Sequence, residues 1–213
     1  MEHDPLPLPP IERRIATGFG CIARAMRSQA WAWSMQSGLT PTQAAILALL
    51  AARGEPLRLS AIVEQVAVSA ATASEAVGAL VAKALVEKTR ARDDHRAIAL
   101  RLTRAGLRVA AQVAEWGSGF DEAAATLSAA EKAALLRALV KMIGHMQEHG
   151  DMPPVRMCAT CRHFEPLAWY APVPYRCSLL DLLFDDAGLR IDCPLHESAD
   201  AAAAERNRAA FAR

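Results

Sequence analysis

Hydrophobic positions in this chain repeat at helical intervals through most of the first 150 residues. Ile15, Phe19, Ile22, Met26 and Trp33 lie near a 3.6-residue period, which predicts a helix from Ile11 to about Gln36, ended by Ser37-Gly38. Its apolar surface is wide for one helix, so part of it is expected to pack on another subunit. Thr40 is placed as an N-cap with Pro41 at the first helical position, opening a helix to about Arg53, where Gly54 stops it. Ser60 is read as the cap of a short helix through Ala67, and Ser69 as the cap of another from Ala70 to about Ala84. Two short helices joined at Val68-Ser69 make a helix-turn-helix.

The period then changes to two. Leu85 to Thr89 and Ile98 to Leu102 read as strands around the charged tip Arg90 to Arg96, which is a hairpin. Thr103 caps a long helix to about Ala125, loosened at Gly117 to Gly119. Leu127-Ser128-Ala129-Ala130-Glu131 is a capping box opening a last helix through about His149. Gly150 and Pro153-Pro154 close the helical region.

Four segments follow from this pattern: an extended, proline-rich arm at 1–10, a helix-turn-helix and dimerisation domain at 11–150, an irregular segment at 151–197, and an Ala/Arg-rich tail at 198–213 read as a frayed helix. The expected fold is mainly α with a small β-hairpin wing, followed by an irregular metal-binding segment. Within that segment Leu179 to Phe184 is read as one short turn or strand.

Particular phrases in residues 11–150 resemble the MarR family of winged-helix transcriptional regulators. They are Leu39-Thr40-Pro41-Thr42-Gln43, Leu59-Ser60, the run Ser69, Thr72, Ser74, and the close Leu80, Val81, Lys83, Leu85, Val86. Asp93-Asp94-His95-Arg96 and Leu102-Thr103 with Gly106 complete them, in the family's order. The resemblance implies a homodimer joined through its first and last helices, bound to a palindromic operator in double-stranded DNA. It further implies recognition helices in the major groove, wings in the minor groove, and a small aromatic ligand near the dimer interface, where Trp31, Trp33 and Trp116 are candidates. Ser69, Thr72 and Ser74 offer hydroxyls at a helix N-terminus suited to phosphate, and Arg90, Arg92 and Arg96 stand on the wing, with Asp94 orienting Arg96. Ala70, Ala71, Ala73 and Glu75 leave the recognition helix poor in base-reading side chains.

Net charge alters this picture little at +1, but its distribution agrees with it. Residues 56–106 hold eight Lys/Arg against five Asp/Glu, whereas residues 151–200 hold four Arg against eight acids. A nucleic-acid surface therefore belongs to the middle of the chain. The apolar fraction of 53% is enough for a core. No apolar run reaches the roughly 18 residues of a membrane span, and the acidic start is unlike a signal peptide, so a cytoplasmic location is expected.

The cysteines change the picture most. Four of the five fall between Cys158 and Cys193, as Cys158-Ala159-Thr160-Cys161, fifteen residues, Cys177, fifteen residues, Cys193. In reduced surroundings such spacing points to one metal centre rather than disulfides. Tetrahedral zinc suits four thiolates, although structural zinc sites usually draw on two close pairs, and here only one pair is close. The pattern, with Arg162-His163-Phe164 and Ser178-Leu179-Leu180 after its cysteines, is similar to the cluster-binding segment of high-potential iron–sulfur proteins. That resemblance implies a [4Fe–4S] cluster on Cys158, Cys161, Cys177 and Cys193. Phe164, Leu167, Trp169, Tyr170, Leu179, Leu180, Phe184 and Leu189 are candidates for its apolar shield. A segment this irregular is expected to need the metal as a staple. His163 and His196 are read as neighbours rather than ligands, and Cys21 as a buried core thiol. With no nucleophile–base arrangement and no phosphate-cradling glycine loop, the sequence reads as a cluster-controlled DNA-binding regulator and not an enzyme. A ligand-responsive repressor with structural zinc is the alternative.

Overall fold

A computed structural model describes residues 8–90, 97–114, 118–167 and 173–211, and everything below concerns these. The elements begin with a long helix α1 (Ile11–Ser37), then α2 (Pro41–Arg53), α3 (Leu59–Val66), α4 (Ala70–Ala82) and the strands β1 (Val86–Arg90) and β2 (Ile98–Leu102). Helices α5 (Arg104–Ala114), α6 (Ser118–Ala125) and α7 (Ala129–Glu148) follow. Three short strands, β3 (Phe164–Pro166), β4 (Tyr175–Cys177) and β5 (Leu182–Phe184), and a terminal helix α8 (Ala201–Phe211) complete the chain.

Local chemistry accounts for most boundaries. Thr40 accepts from the Gln43 N–H and Gln43 reaches back to the Thr40 N–H, a reciprocal cap with Pro41 in the first turn. Ser128 and Glu131 repeat the device at α7. Gly38 and Gly54 end α1 and α2 in the left-handed conformation, at φ 67° and 65°. Ser60, expected to cap α3, does not: the cap position is Arg58, whose side chain makes no capping bond, and Ser60 lies exposed in the first turn. The helix expected from Thr103 to Ala125 is seen as α5 and α6, and residues 115–117 between them lie outside the described residues.

Two cores organise the molecule. The first gathers Ile46, Leu47 and Leu50 of α2, Ile62 of α3, Val77 and Leu80 of α4, and Val86, Leu100 and Ala110. Strands β1 and β2 pair antiparallel with Val86 opposite Leu102 and Arg90 opposite Ile98, and Leu57 joins Leu100 through bonds of 2.8 and 3.0 Å. Leu57 thus adds a third short rung to the wing.

The second core differs from expectation. Strands β3, β4 and β5 form an antiparallel meander, and α7 and α8 pack on it. Val140, Met157, Phe164, Tyr175, Leu189 and Phe211 are all buried, with the Phe164 ring 5.1 Å from Tyr175 and 5.7 Å from Phe211. Arg137 of α7 lays its guanidinium 5.4 Å from the Phe211 ring centre and donates to the Tyr175 hydroxyl, which itself donates to Asp186 at 2.8 Å. Burial, and the bond to Asp186, push the Tyr175 hydroxyl pKa above the ordinary tyrosine value. The tail expected to fray is instead an ordered helix, because Phe211 and the fully buried Asn207 anchor it. An aromatic core of its own means the segment does not depend on a metal alone for its packing.

Outside both cores, Ile11, Ile15, Ile22, Met26 and Trp31 on α1 and Met142 and Met146 on α7 are at least 40% exposed in the single chain. Cys21, expected in a core, is also exposed, and its sulfur accepts from Arg24 at 3.1 Å. No single helix among the described residues is long and apolar enough to cross a membrane.

Candidate nucleic-acid interface and cysteine pocket

Helices α3 and α4 meet at 114°, within the range of a helix-turn-helix. The turn is made by Ala67 in the left-handed conformation (φ 57°) and by Ser69, whose hydroxyl accepts from the Thr72 N–H at 3.1 Å. The burial pattern of α4 separates two faces. Ala73, Ala76, Val77 and Leu80 turn into the core, while Ala70, Ala71, Thr72, Ser74, Glu75 and Gly78 are exposed.

Ser69 and Thr72 therefore stand at the exposed N-terminus of α4, their hydroxyls 2.8 Å apart, where free N–H groups and the helix dipole favour an anion. Ser74 lies further round the helix and shares a groove with Lys88 and Ile98 of the wing. Lys83, read from sequence as part of a helix-closing phrase, ties α4 to the α1–α2 junction by donating to the Gly38 carbonyl and to Gln43. On the wing, Arg90 is exposed at the end of β1, and Arg101 pairs with its cross-strand neighbour Glu87 at 2.8 Å. Arg92, Arg96 and Asp94 lie outside the described residues.

The second cluster is at the cysteines. Cys158 opens a single 3-10 turn and receives the Cys161 N–H on its carbonyl at 3.0 Å, which folds the close pair back on itself. Cys177 sits on β4, opposite Phe164 on one side and Leu182 on the other. Cys193 is held by donating its N–H to Arg156 at 2.7 Å. All four are unpaired thiols and all four line one pocket, with Phe164, Leu179, Leu180, Leu182, Phe184 and Leu195 as its apolar wall. His163, Gly188 and Arg190 complete the lining. Of the expected shield, Phe164, Leu179, Leu180 and Phe184 are present in the wall. Leu189 is buried in the second core and Leu167 is exposed away from the pocket wall, while Trp169 and Tyr170 lie outside the described residues.

Two features of this pocket escape a reading by spacing. Cys158 and Arg190 are joined by two bonds: the Cys158 N–H donates to the Arg190 carbonyl at 3.1 Å, and the Arg190 N–H donates to the Cys158 sulfur at 3.2 Å. Burial pushes the Cys158 thiol pKa up, the Arg190 N–H pulls it back, and the other three thiols add to the rise. Asn207 of α8, from the segment read as a tail, donates to the Cys161 carbonyl at 2.9 Å. His196 bonds Thr160 at 2.9 Å rather than facing the thiols, and burial holds its pKa below the ordinary histidine value. Among the described residues, no three of His, Cys, Asp and Glu close into a set able to hold a single metal ion.

Residues 37–97 match the MarR family model. The match spans α2 through β1, most of the candidate interface, and ends just before β2. Over these residues the chain is similar to the MarR family, and its fold is a winged helix. Solved structures agree on the fold. The chain is similar to S. aureus MepR in its DNA-binding conformation (21% identity, 62% of this chain and 98% of that one, TM-score 0.56) and to the S. aureus MepR–DNA complex (22%, 62% and 97%, 0.53). It is also similar to the transcriptional regulator BldR from Sulfolobus solfataricus (20%, 63% and 95%, 0.51). No curated protein sequence matches the chain. The MarR match stops well before Cys158.

Proposed function

We propose that this protein is a homodimeric DNA-binding transcriptional regulator, and not an enzyme, whose operator binding is controlled by a [4Fe–4S] cluster on Cys158, Cys161, Cys177 and Cys193. The observation that carries the proposal is the gathering of all four thiols on one apolar pocket in a chain that also holds a MarR-type winged helix. Ser69, Thr72 and Ser74 would contact the backbone phosphates as α4 enters the major groove, with Arg90, Arg92 and Arg96 carried by the wing to the adjacent minor groove. The uncovered apolar residues of α1 and α7 suit burial against a second copy, with Trp31 and Trp33 near that junction as sides of a small aromatic-ligand site.

The choice of group rests on spacing and surroundings. Structural zinc usually draws on two close pairs, whereas here one close pair and two single cysteines line an apolar pocket. Four thiolates arriving in that way suit a cubane held at four irons. When bound, such a cluster supplies a one-electron couple and sensitivity to oxidants. The chain's part is to exclude water with Phe164, Phe184 and the leucines, and to direct the Arg190 N–H at the Cys158 sulfur, a bond of the kind that tunes cluster potential.

Anaerobic purification tests the reading. A brown protein with about four iron and four sulfide per chain is expected; a colourless protein carrying one zinc per chain would overturn the cluster and favour the zinc-stapled repressor. On the DNA side, Arg96→Ala is expected to weaken binding to a duplex selected by the wild-type protein and to lower the salt slope by about 1, with the dimer intact. Unchanged affinity would remove the wing from the interface.

A further inference from the structure

We propose that Arg53 is the positioning residue through which the state of the cysteine pocket reaches the recognition helix. The proposal rests on the cluster reading above and names its route. Arg53 is the last residue of α2, and its side chain is only 5% exposed. One edge of its guanidinium grips Gln65 of α3, with Nε 2.9 Å from Oε1. The same group donates to Asp192 at 2.6 Å across 139 residues of sequence. Asp192 is the residue before Cys193 and stands in the left-handed conformation, at φ 60°. One side chain therefore holds α3 and the last cysteine loop together.

The physics makes that junction responsive. A buried guanidinium deprived of its carboxylate is costly, because the remaining charge keeps only the neutral Gln65 amide and little water. Arg53 has no surplus of partners to absorb the loss, since its Nη1 finds no acceptor among the described residues. Arg156, the second cation near His196, already gives its guanidinium to the Pro194 carbonyl and its own carbonyl to the Cys193 N–H. When Cys193 is engaged by a cluster, the loop presents Asp192 to Arg53 and α3 is fixed through Gln65. When Cys193 is released, the loop and Asp192 withdraw, and Arg53 must turn from Gln65 toward water. Helix α3 leads through the Ala67–Ser69 turn directly into α4, so its displacement re-aims Ser69 and Thr72. The coupling is reciprocal: DNA that favours one placement of α3 also favours one state of the pocket.

The test compares wild type, Asp192→Gly and Asp192→Asn as full-length proteins, each with and without cluster reconstitution. Each is titrated against a duplex selected from a random pool by the wild-type protein. Glycine accepts the left-handed backbone while removing the carboxylate, and asparagine keeps both the backbone preference and an acceptor. Wild type is expected to show a holo-to-apo affinity ratio of about 5–150-fold, in either direction. Asp192→Gly is expected to load iron and sulfide as wild type does while its ratio collapses to within about twofold of unity, with Asp192→Asn in between. Faster amide exchange at Leu59–Val66 in Asp192→Gly would mark the loosened α3. An Asp192→Gly variant that loads fully and keeps the wild-type ratio overturns the Arg53 route and leaves the cluster reading standing. A wild-type protein that takes up no cluster overturns both.

Discussion

Cys177→Ser is expected to leave the protein without visible absorbance and without bound iron after anaerobic reconstitution. Even loss of an outer-shell partner lowers metal affinity by about 10–100-fold, and loss of one of four thiolates is expected to exceed that. The substitution is well placed as a test because Cys177 shares β4 with Tyr175, opposite Phe164 and Leu182. Its backbone bonds and the aromatic core around Phe164 do not involve the sulfur, so the meander is expected to persist. Circular dichroism and melting of the winged helix should stay near wild type while metal content falls to background. Full cluster content in this variant would show that the ligand set is wrong.

Gly106→Ala is the corresponding test of the winged helix, and its expected effect is on stability. A Cβ built on Gly106 would lie 2.0 Å from the Leu85 carbonyl oxygen and 2.9 Å from its carbon. The oxygen cannot swing away freely, because it accepts the Thr103 N–H at 3.1 Å where the wing returns to α5. Thr103 is committed as well, donating to Ala84 at 2.7 Å and accepting from the Gly106 N–H at 3.0 Å. Forcing α5 off this corner is expected to cost on the order of 3–4 kcal/mol, which corresponds to a fall in Tm on the order of 10 °C. Gly78→Ala, with open space around the new methyl on the exposed face of α4, is the control and should change stability little or raise it slightly. Equal melting of Gly106→Ala and wild type would mean that α5 does not approach Leu85 this closely.

What the sequence made legible divides along a physical line. Thr40, Ser69, Thr103 and Ser128 announce their helices because a cap is a bond within three residues, and the structure contains all four. The second strand of the wing falls at Ile98–Leu102 as its alternation predicts, although Ile98 is exposed and Ala99 and Leu100 are both buried, with Leu57 pairing to Leu100 at the strand's centre. Ser60 misled because the same residue type serves in a first turn as well as before it. Cys21 misled because an apolar helix face implies burial, whereas in one chain that face is uncovered.

The four cysteines could be singled out by count and spacing, but their surroundings could not. Arg190, Gly188 and Leu195 enter the pocket from loops with no period, and Asn207 and Phe211 reach it or its core from a helix whose alanine-rich sequence hides them. Arg53 carries no local signal at all. Its meaning lies in Asp192, which only the tertiary fold brings to it.

The second core also sets the terms on which this architecture can be borrowed. Its wall includes Val140, Leu136 and Ile143, which belong to α7, and Arg137 of the same helix closes over Phe211. The cysteine segment is therefore not a cassette to be spliced after any winged helix. A graft onto another scaffold would have to transplant that face of α7 along with residues 155–211, or the recipient would inherit four thiols without the floor on which they are arranged.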